Sequence, residues 1–184
     1  MSAAASAAGI APTASALGAG GLLFVCMGNI CRSPTAEGVM RVLLEREAPH
    51  LRVRLDSAGT HGYHVGAAPD PRSQAAALSR SIDISTLRAR RLAPADFHAF
   101  DRILVMDRRN LTDARALAPP GYATRLQLLL DYAPQQPMRE VPDPYYGESV
   151  DFERVLDLSL AAARGLLAQL QQARGVTRNG ILLP

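Results

Sequence analysis

The apolar positions of this chain fall into short runs that alternate with longer stretches of helical period. Leu22, Leu23, Phe24, Val25 and Cys26 form a continuous apolar run, as expected of a strand buried on both faces. Ser33, Pro34 and Glu37 then announce a helix, with Pro34 at its first position and Glu37 complementing its positive end. Val39, Leu43 and Leu44 supply its apolar stripe. Residues 51–57 alternate as a second strand, 59–71 carry enough breakers to read as a loop, and 72–81 read as a helix. Residues 101–106 give a third strand, 109–117 a helix stopped by Pro119 and Pro120, and 125–130 a fourth strand. A loop with Pro134, Pro137, Pro142 and Pro144 leads to a long helix over 151–172. Its expected buried set is Phe152, Val155, Leu156, Leu160, Leu166, Leu167 and Leu170. The alternation of strand and helix predicts an α/β fold, a parallel sheet with helices on both faces. Such sheets bind ligands at the carboxyl ends of their strands, where the loop after Cys26 lies.

Composition narrows the chemistry. With 184 residues, 48% hydrophobic and 20% charged, the chain suits a single globular domain. Its 20 basic residues are all arginine, which excludes lysine-dependent phosphate loops and Schiff-base chemistry. A net charge of +3 and a pI near 9.2 are mild, and only Arg88, Arg90, Arg91 and Arg108, Arg109 cluster. That scatter predicts no nucleic-acid partner. No apolar run reaches the length of a membrane span, so no membrane insertion is expected. Two cysteines five apart are no disulfide framework and point to a reduced, cytoplasmic setting. Residues 1–20 are rich in Ala, Gly and Ser and lack a secretory pattern. They read as a flexible tail, residues 21–175 as the folded domain and residues 176–184 as a C-terminal tail.

The loop Cys26-Met27-Gly28-Asn29-Ile30-Cys31-Arg32-Ser33 joins a buried strand to a helix. Gly28 permits tight turns, so successive amides can point inward beside the helix N-terminus. The result is a socket for a tetrahedral dianion. Arg32 can grip two of its oxygens in a fork. The same field favours a thiolate at Cys26 and makes it a nucleophile. Ser33 can donate a hydrogen bond to that sulfur, and Asn29 can brace the loop. Further on, Asp143 stands in a proline-bounded loop before Tyr145 and Tyr146. Alone it is an ordinary turn aspartate; beside a phosphate loop it is a candidate proton donor. The two tyrosines can wall a slot for a flat ring.

Together these segments resemble the low-molecular-weight protein tyrosine phosphatases. The resemblance is carried by residues 25–34, by Asp56-Ser57-Ala58-Gly59-Thr60, by residues 101–107 and by Asp143-Pro144-Tyr145-Tyr146-Gly147. It implies a doubly wound four-stranded sheet of flavodoxin-like order 2-1-3-4 and hydrolysis of phosphotyrosine through a cysteinyl-phosphate intermediate. Cys26 is then the nucleophile and Arg32 the transition-state binder. Asp143 is the general acid and later the base. Met27, Gly28, Asn29, Ile30, Cys31 and Ser33 line the phosphate site, Tyr63, Tyr145 and Tyr146 the aryl slot, and Ser57 and Asp107 support the loop. Asp107 alternatively caps the next helix. Cys31 would form a reversible protective disulfide with Cys26, or else simply fill the loop. No cofactor and no metal are implied, and the spacing of His61 and His64 without a carboxylate cluster agrees. The implied partner is a phosphotyrosine protein, such as a tyrosine kinase or a polysaccharide-export component. One departure stands out: Arg80 occupies the place where many relatives carry a histidine that braces the loop asparagine. Three other readings share the pattern. Arsenate reductases need further cysteines, arginine phosphatases tend to replace the residue at Ile30 by threonine, and a non-catalytic phosphate-binding module would lack the nucleophile or the acid.

Overall fold

Every residue of the first apolar run is buried, and that run is the hub of the sheet. The computed structural model describes residues 20–173, so the two tails inferred from sequence lie largely outside the described residues. Strand β1 (Gly21–Cys26) pairs in parallel with β2 (Arg54–Gly59) on one side and β3 (Arg102–Val105) on the other. Strand β4 (Leu126–Leu128) extends the sheet from β3, giving the order β2-β1-β3-β4. The register places Val25 beside Ala58 and Val105, so the three strand ends open together at one edge.

Side-chain alternation along the strands divides the interior in two. Leu22, Phe24, Cys26 and Leu104 face one side, where helices α1 (Arg32–Glu47), α2 (Pro71–Leu78) and α5 (Ser149–Ala173) pack. Leu23, Val25, Ile103 and Val105 face the other, against α3 (Asp96–Ala99) and α4 (Arg108–Leu117) through Phe97 and Ala114. Both faces are thus covered, as a parallel sheet requires. Helix α5 buries the expected set except Leu160, which is half-buried.

Several boundaries differ from the sequence expectation, each for a local reason. The second strand runs three residues later at its start, because the ladder begins only where Arg54 meets Gly21. Leu51 and Val53 precede it and pack against the α1 face instead. Gly59, expected in the loop, is the last residue of β2. A Cβ there would lie 2.7 Å from the Met27 carbonyl oxygen, so only glycine lets β2 run this close behind the loop between β1 and α1. The fourth strand is cut to three residues by a 3-10 turn at Leu129–Tyr132. Helix α3, a single turn, carries too little periodicity to be seen in the sequence. Helix α1 starts at Arg32, so Pro34 takes its third position; the missing N–H still falls among the first four, which have no helical partner. Glu37 lies a turn deeper and is buried rather than at the helix end.

Candidate active site

The residues between β1 and α1 wrap around the Cys26 sulfur. Four of their carbonyls are engaged outside the loop or on its helical side. Cys26 O accepts from Thr60 N and Met27 O from His61 N, both at 2.9 Å. Ile30 O accepts from Asp70 N at 2.8 Å and Cys31 O from the Thr35 hydroxyl at 2.8 Å. With the carbonyls committed there, the amide sides of the peptide planes are free to face the centre. The Asn29 amide does so, donating to Cys26 Sγ at 3.2 Å.

The turn is made by Asn29 and not by Gly28: Asn29 has φ 57°, in the left-handed region. Gly28 serves by its missing side chain, since a Cβ there would meet the His64 ring at 3.0 Å. Asn29 Nδ2 donates to Ser33 Oγ at 2.9 Å, and Ser33 Oγ lies 3.1 Å from Cys26 Sγ. The hydroxyl has one proton and two acceptors in reach, the sulfur at 3.1 Å and the Ala58 carbonyl oxygen at 3.4 Å, so a thiolate at Cys26 is the nearer and more strongly charged of the two. Ser57, expected to support the loop, donates to Glu37 on α1, the helix that follows the loop, at 2.7 Å. Burial pushes the Glu37 carboxyl above its ordinary range, against the Ser57 and Arg41 contacts that favour its charge.

Arg32 is 2% exposed. Its Nη1 donates to Asp107 Oδ2 at 2.6 Å and its Nη2 to Asp143 Oδ2 at 2.7 Å. Burial opposes the guanidinium charge, but Cys26, Asp143 and Asp107 outweigh it and hold its proton more tightly than usual. The other oxygen of Asp107 caps α4 by accepting from Asn110 N at 2.6 Å. Asp143 also shapes its own turn, accepting from Tyr145 N at 3.2 Å.

Cys26, Arg32 and Asp143 open onto one cavity of about 380 Å³, walled by Ile30, Tyr63, His64, Tyr145 and Tyr146. His64 and Tyr145 face one another with ring centres 6.3 Å apart, and Tyr146 stands edge-on to Tyr145 at 5.0 Å. Tyr145 is partly sheltered while Tyr146 is 97% exposed, so Tyr145 is the inner wall and Tyr146 the rim. Cys31 is buried, and that burial pushes its thiol up to about 12, a Ser73 hydrogen bond only partly opposing it.

Arg80 does not brace the loop. It reaches away to Asp157 at 2.6 Å and Glu153 at 3.0 Å on α5. Two arginines that the sequence did not mark matter more. Arg90 offers its backbone N–H to Asn29 Oδ1 at 2.9 Å. Arg72 ties Asp70 to the Tyr145 carbonyl at 3.0 Å and lies over the Phe152 ring at 4.4 Å, joining the Asp143 loop to α2 and α5. Both act across long sequence separations, one of them through its backbone, and neither leaves a local pattern. Among the described residues no cluster of His, Cys, Asp and Glu has the makings of a metal site, and no helix is long and apolar enough to cross a membrane.

The family model described as low molecular weight phosphotyrosine protein phosphatase matches residues 21–176. The human low molecular weight phosphotyrosine protein phosphatase is 40% identical over 148 residues, covering 79% of this chain and 92% of the relative. The crystal structure of the Entamoeba histolytica protein tyrosine phosphatase with Hepes in the active site superposes with a TM-score of 0.79 at 37% identity, covering 83% of this chain and 97% of that one. The Bacillus subtilis YfkJ structure gives 0.78 at 35% identity, with 83% and 95% covered. The chain therefore belongs to the low molecular weight phosphotyrosine protein phosphatase family, whose members are phosphoric monoester hydrolases.

Proposed function

We propose that this chain hydrolyses phosphotyrosine through a phosphorylated Cys26. The observation that carries the reading is the convergence of the Cys26 sulfur, the Arg32 guanidinium and the Asp143 carboxyl on one aromatic-walled cavity. In the first step the Cys26 thiolate attacks phosphorus, and the bond from phosphorus to the tyrosyl oxygen breaks. Asp143 gives its proton to that oxygen, so the leaving group departs as a neutral phenol. Arg32 and the loop amides bear the charge on the equatorial oxygens. A phosphate that takes over Arg32 Nη2 frees Asp143 to face the leaving oxygen.

In the second step Asp143, now a carboxylate, takes a proton from water. The water oxygen attacks phosphorus, and the phosphorus–sulfur bond breaks. The Ser33 hydroxyl, 3.1 Å from the sulfur, turns its proton to the departing thiolate and stabilises it. Ring contacts with Tyr145 and His64 favour a flat aryl ester over a short seryl one. The substrate is then a phosphotyrosine protein, with a tyrosine kinase or a polysaccharide-export component as the partner class, met in the cytoplasm.

The test uses the full chain with a chelator present and p-nitrophenyl phosphate as substrate. Turnover is expected, Cys26→Ser is expected to abolish it, and rapid acid quenching should leave phosphate on Cys26. Turnover that survives Cys26→Ser sinks the proposal.

A further inference from the structure

Arg90 connects the phosphate loop to two carboxylates that the reaction does not use. Its amide donates to Asn29 Oδ1 at 2.9 Å, and its carbonyl accepts from Gly59 N at 2.8 Å. Its guanidinium is forked between two elements. Nε and Nη2 reach Asp56 Oδ2 on β2 at 3.2 and 3.0 Å. Nη1 and Nη2 reach the two oxygens of Asp96, at the start of α3, at 2.9 and 3.1 Å. Asp96 is itself held, accepting from Ala93 N at 2.9 Å. Five bonds therefore fix the residue whose amide meets Asn29, and a planar guanidinium is the side chain that can span both carboxylates.

Asn29 needs such fixing. A left-handed backbone is disfavoured for a residue with a Cβ, and Asn tolerates it through hydrogen bonds of its own side chain. Three bonds hold Asn29 there: its amide to Cys26 Sγ, its Nδ2 to Ser33 Oγ, and its Oδ1 from Arg90 N. Of these three only the last reaches outside the loop. Arg80 is committed to α5 and does not reach the loop.

We infer that Arg90, clamped by Asp56 and Asp96, is a positioning residue for the nucleophile: it locks Asn29 in the orientation that aims its amide at Cys26 and its side chain at the Ser33 hydroxyl beside the sulfur. This deepens the reading of Cys26 as nucleophile and rests on it.

The experiment compares wild type with Arg90→Ala, Arg90→Lys and Asp96→Asn, all of which retain the residue-90 amide. Two quantities are read on protein whose circular dichroism is native. One is kcat and KM for p-nitrophenyl phosphate. The other is the pH midpoint of Cys26 alkylation by iodoacetate, which needs no turnover. Arg90→Ala is expected to lower kcat about tenfold with KM changed less than about twofold, the size of weakening the Asn29 amide's hydrogen bond to the Cys26 thiolate once Asn29 is no longer held. The alkylation midpoint should rise by about one pH unit. Arg90→Lys, which keeps the charge without the fork, should fall between. Asp96→Asn keeps an acceptor for Ala93 N and should shift both readings in the same direction; it decides alone if Arg90→Ala does not fold. Native variants with the wild-type midpoint, or a KM rise with kcat intact, overturn the inference. A wild-type chain without turnover would instead sink the phosphatase reading, while the midpoint would still report on Arg90.

Discussion

Arg32 and Asp107, seventy-five positions apart, meet at 2.6 Å in the interior. The contact gives Asp107 two duties at once, since one oxygen pairs the buried guanidinium and the other caps α4. The two can be separated by substitution. Asp107→Asn keeps an N-cap acceptor but loses the charge facing Arg32, whereas Asp107→Ala loses both. Loss of the cap is worth about 1 kcal/mol, and loss of a hydrogen bond to a charged group roughly 1.5–3 kcal/mol. In urea unfolding Asp107→Ala is expected to be less stable than Asp107→Asn by about the cap alone. Equal stability of the two variants would show that α4 does not depend on this side chain.

Asp143 is the one member of the constellation that lies on an exposed loop, and in the mechanism proposed above it protonates the leaving oxygen. Its removal should therefore depend on how much help that oxygen needs. Asp143→Ala is expected to slow phenyl phosphate by on the order of 10²–10⁴. The effect on p-nitrophenyl phosphate, whose phenolate leaves readily, should be much smaller. A loss of kcat of the same size on both esters would assign Asp143 to holding Arg32 and not to proton transfer.

Cys31 carries a pH signature that can be read without catalysis. Its thiol ionises near 9.0 in the unfolded chain and near 12 in the folded one, chiefly because burial disfavours the thiolate. The folded state therefore holds the proton over a range where the unfolded state has lost it. The associated stability is complete below the unfolded value and drains away as pH rises towards 12, at up to about 1.4 kcal/mol per pH unit. Cys31→Ala lacks this dependence. The stability gap between wild type and variant should narrow between pH 9 and the highest pH at which unfolding is still reversible; parallel curves would contradict it. The same protonation slows any disulfide formed with Cys26, because attack on an oxidised sulfur needs the thiolate.

The strands, the two-sided sheet and the phosphate loop were legible because they rest on local patterns. An apolar run such as residues 22–26 and the spacing of Cys26 and Arg32 are visible to a reader of sequence alone. What was not legible depends on pairs brought together by the fold. Nothing around Arg90 marks its amide as the partner of Asn29, sixty-one positions away. Ser57 was expected to support the loop, but the sequence does not name its partner, and only the fold brings its hydroxyl to Glu37 on α1, twenty positions away. Gly28 drew attention to itself as the expected turn residue, while the left-handed position fell on Asn29, which tolerates it through its own side-chain bonds.

A last case concerns the end of α2, where local rules predict a residue that the chain does not have. Ser81 N donates to Leu78 O at 2.9 Å and Ile82 N to Ala77 O at 3.0 Å. That pair of bonds is a Schellman ending, and it places Ser81 at the left-handed position that glycine usually fills. Its φ is indeed 60°, and Ile82 and Ala77 are both buried in the same core, the apolar contact that accompanies this ending. The Ser81 side chain is exposed and has no hydrogen-bond partner among the described residues to offset the strain. Replacing it by glycine removes the Cβ clash, worth roughly 1–2 kcal/mol, against a smaller loss from the greater freedom of glycine in the unfolded chain. Ser81→Gly is expected to raise unfolding free energy by on the order of 0.5–1 kcal/mol with kcat and KM unchanged. Ser81→Val, which cannot accept the angle easily, should lower it. A glycine variant no more stable than wild type in urea titration would show that the turn is not strained.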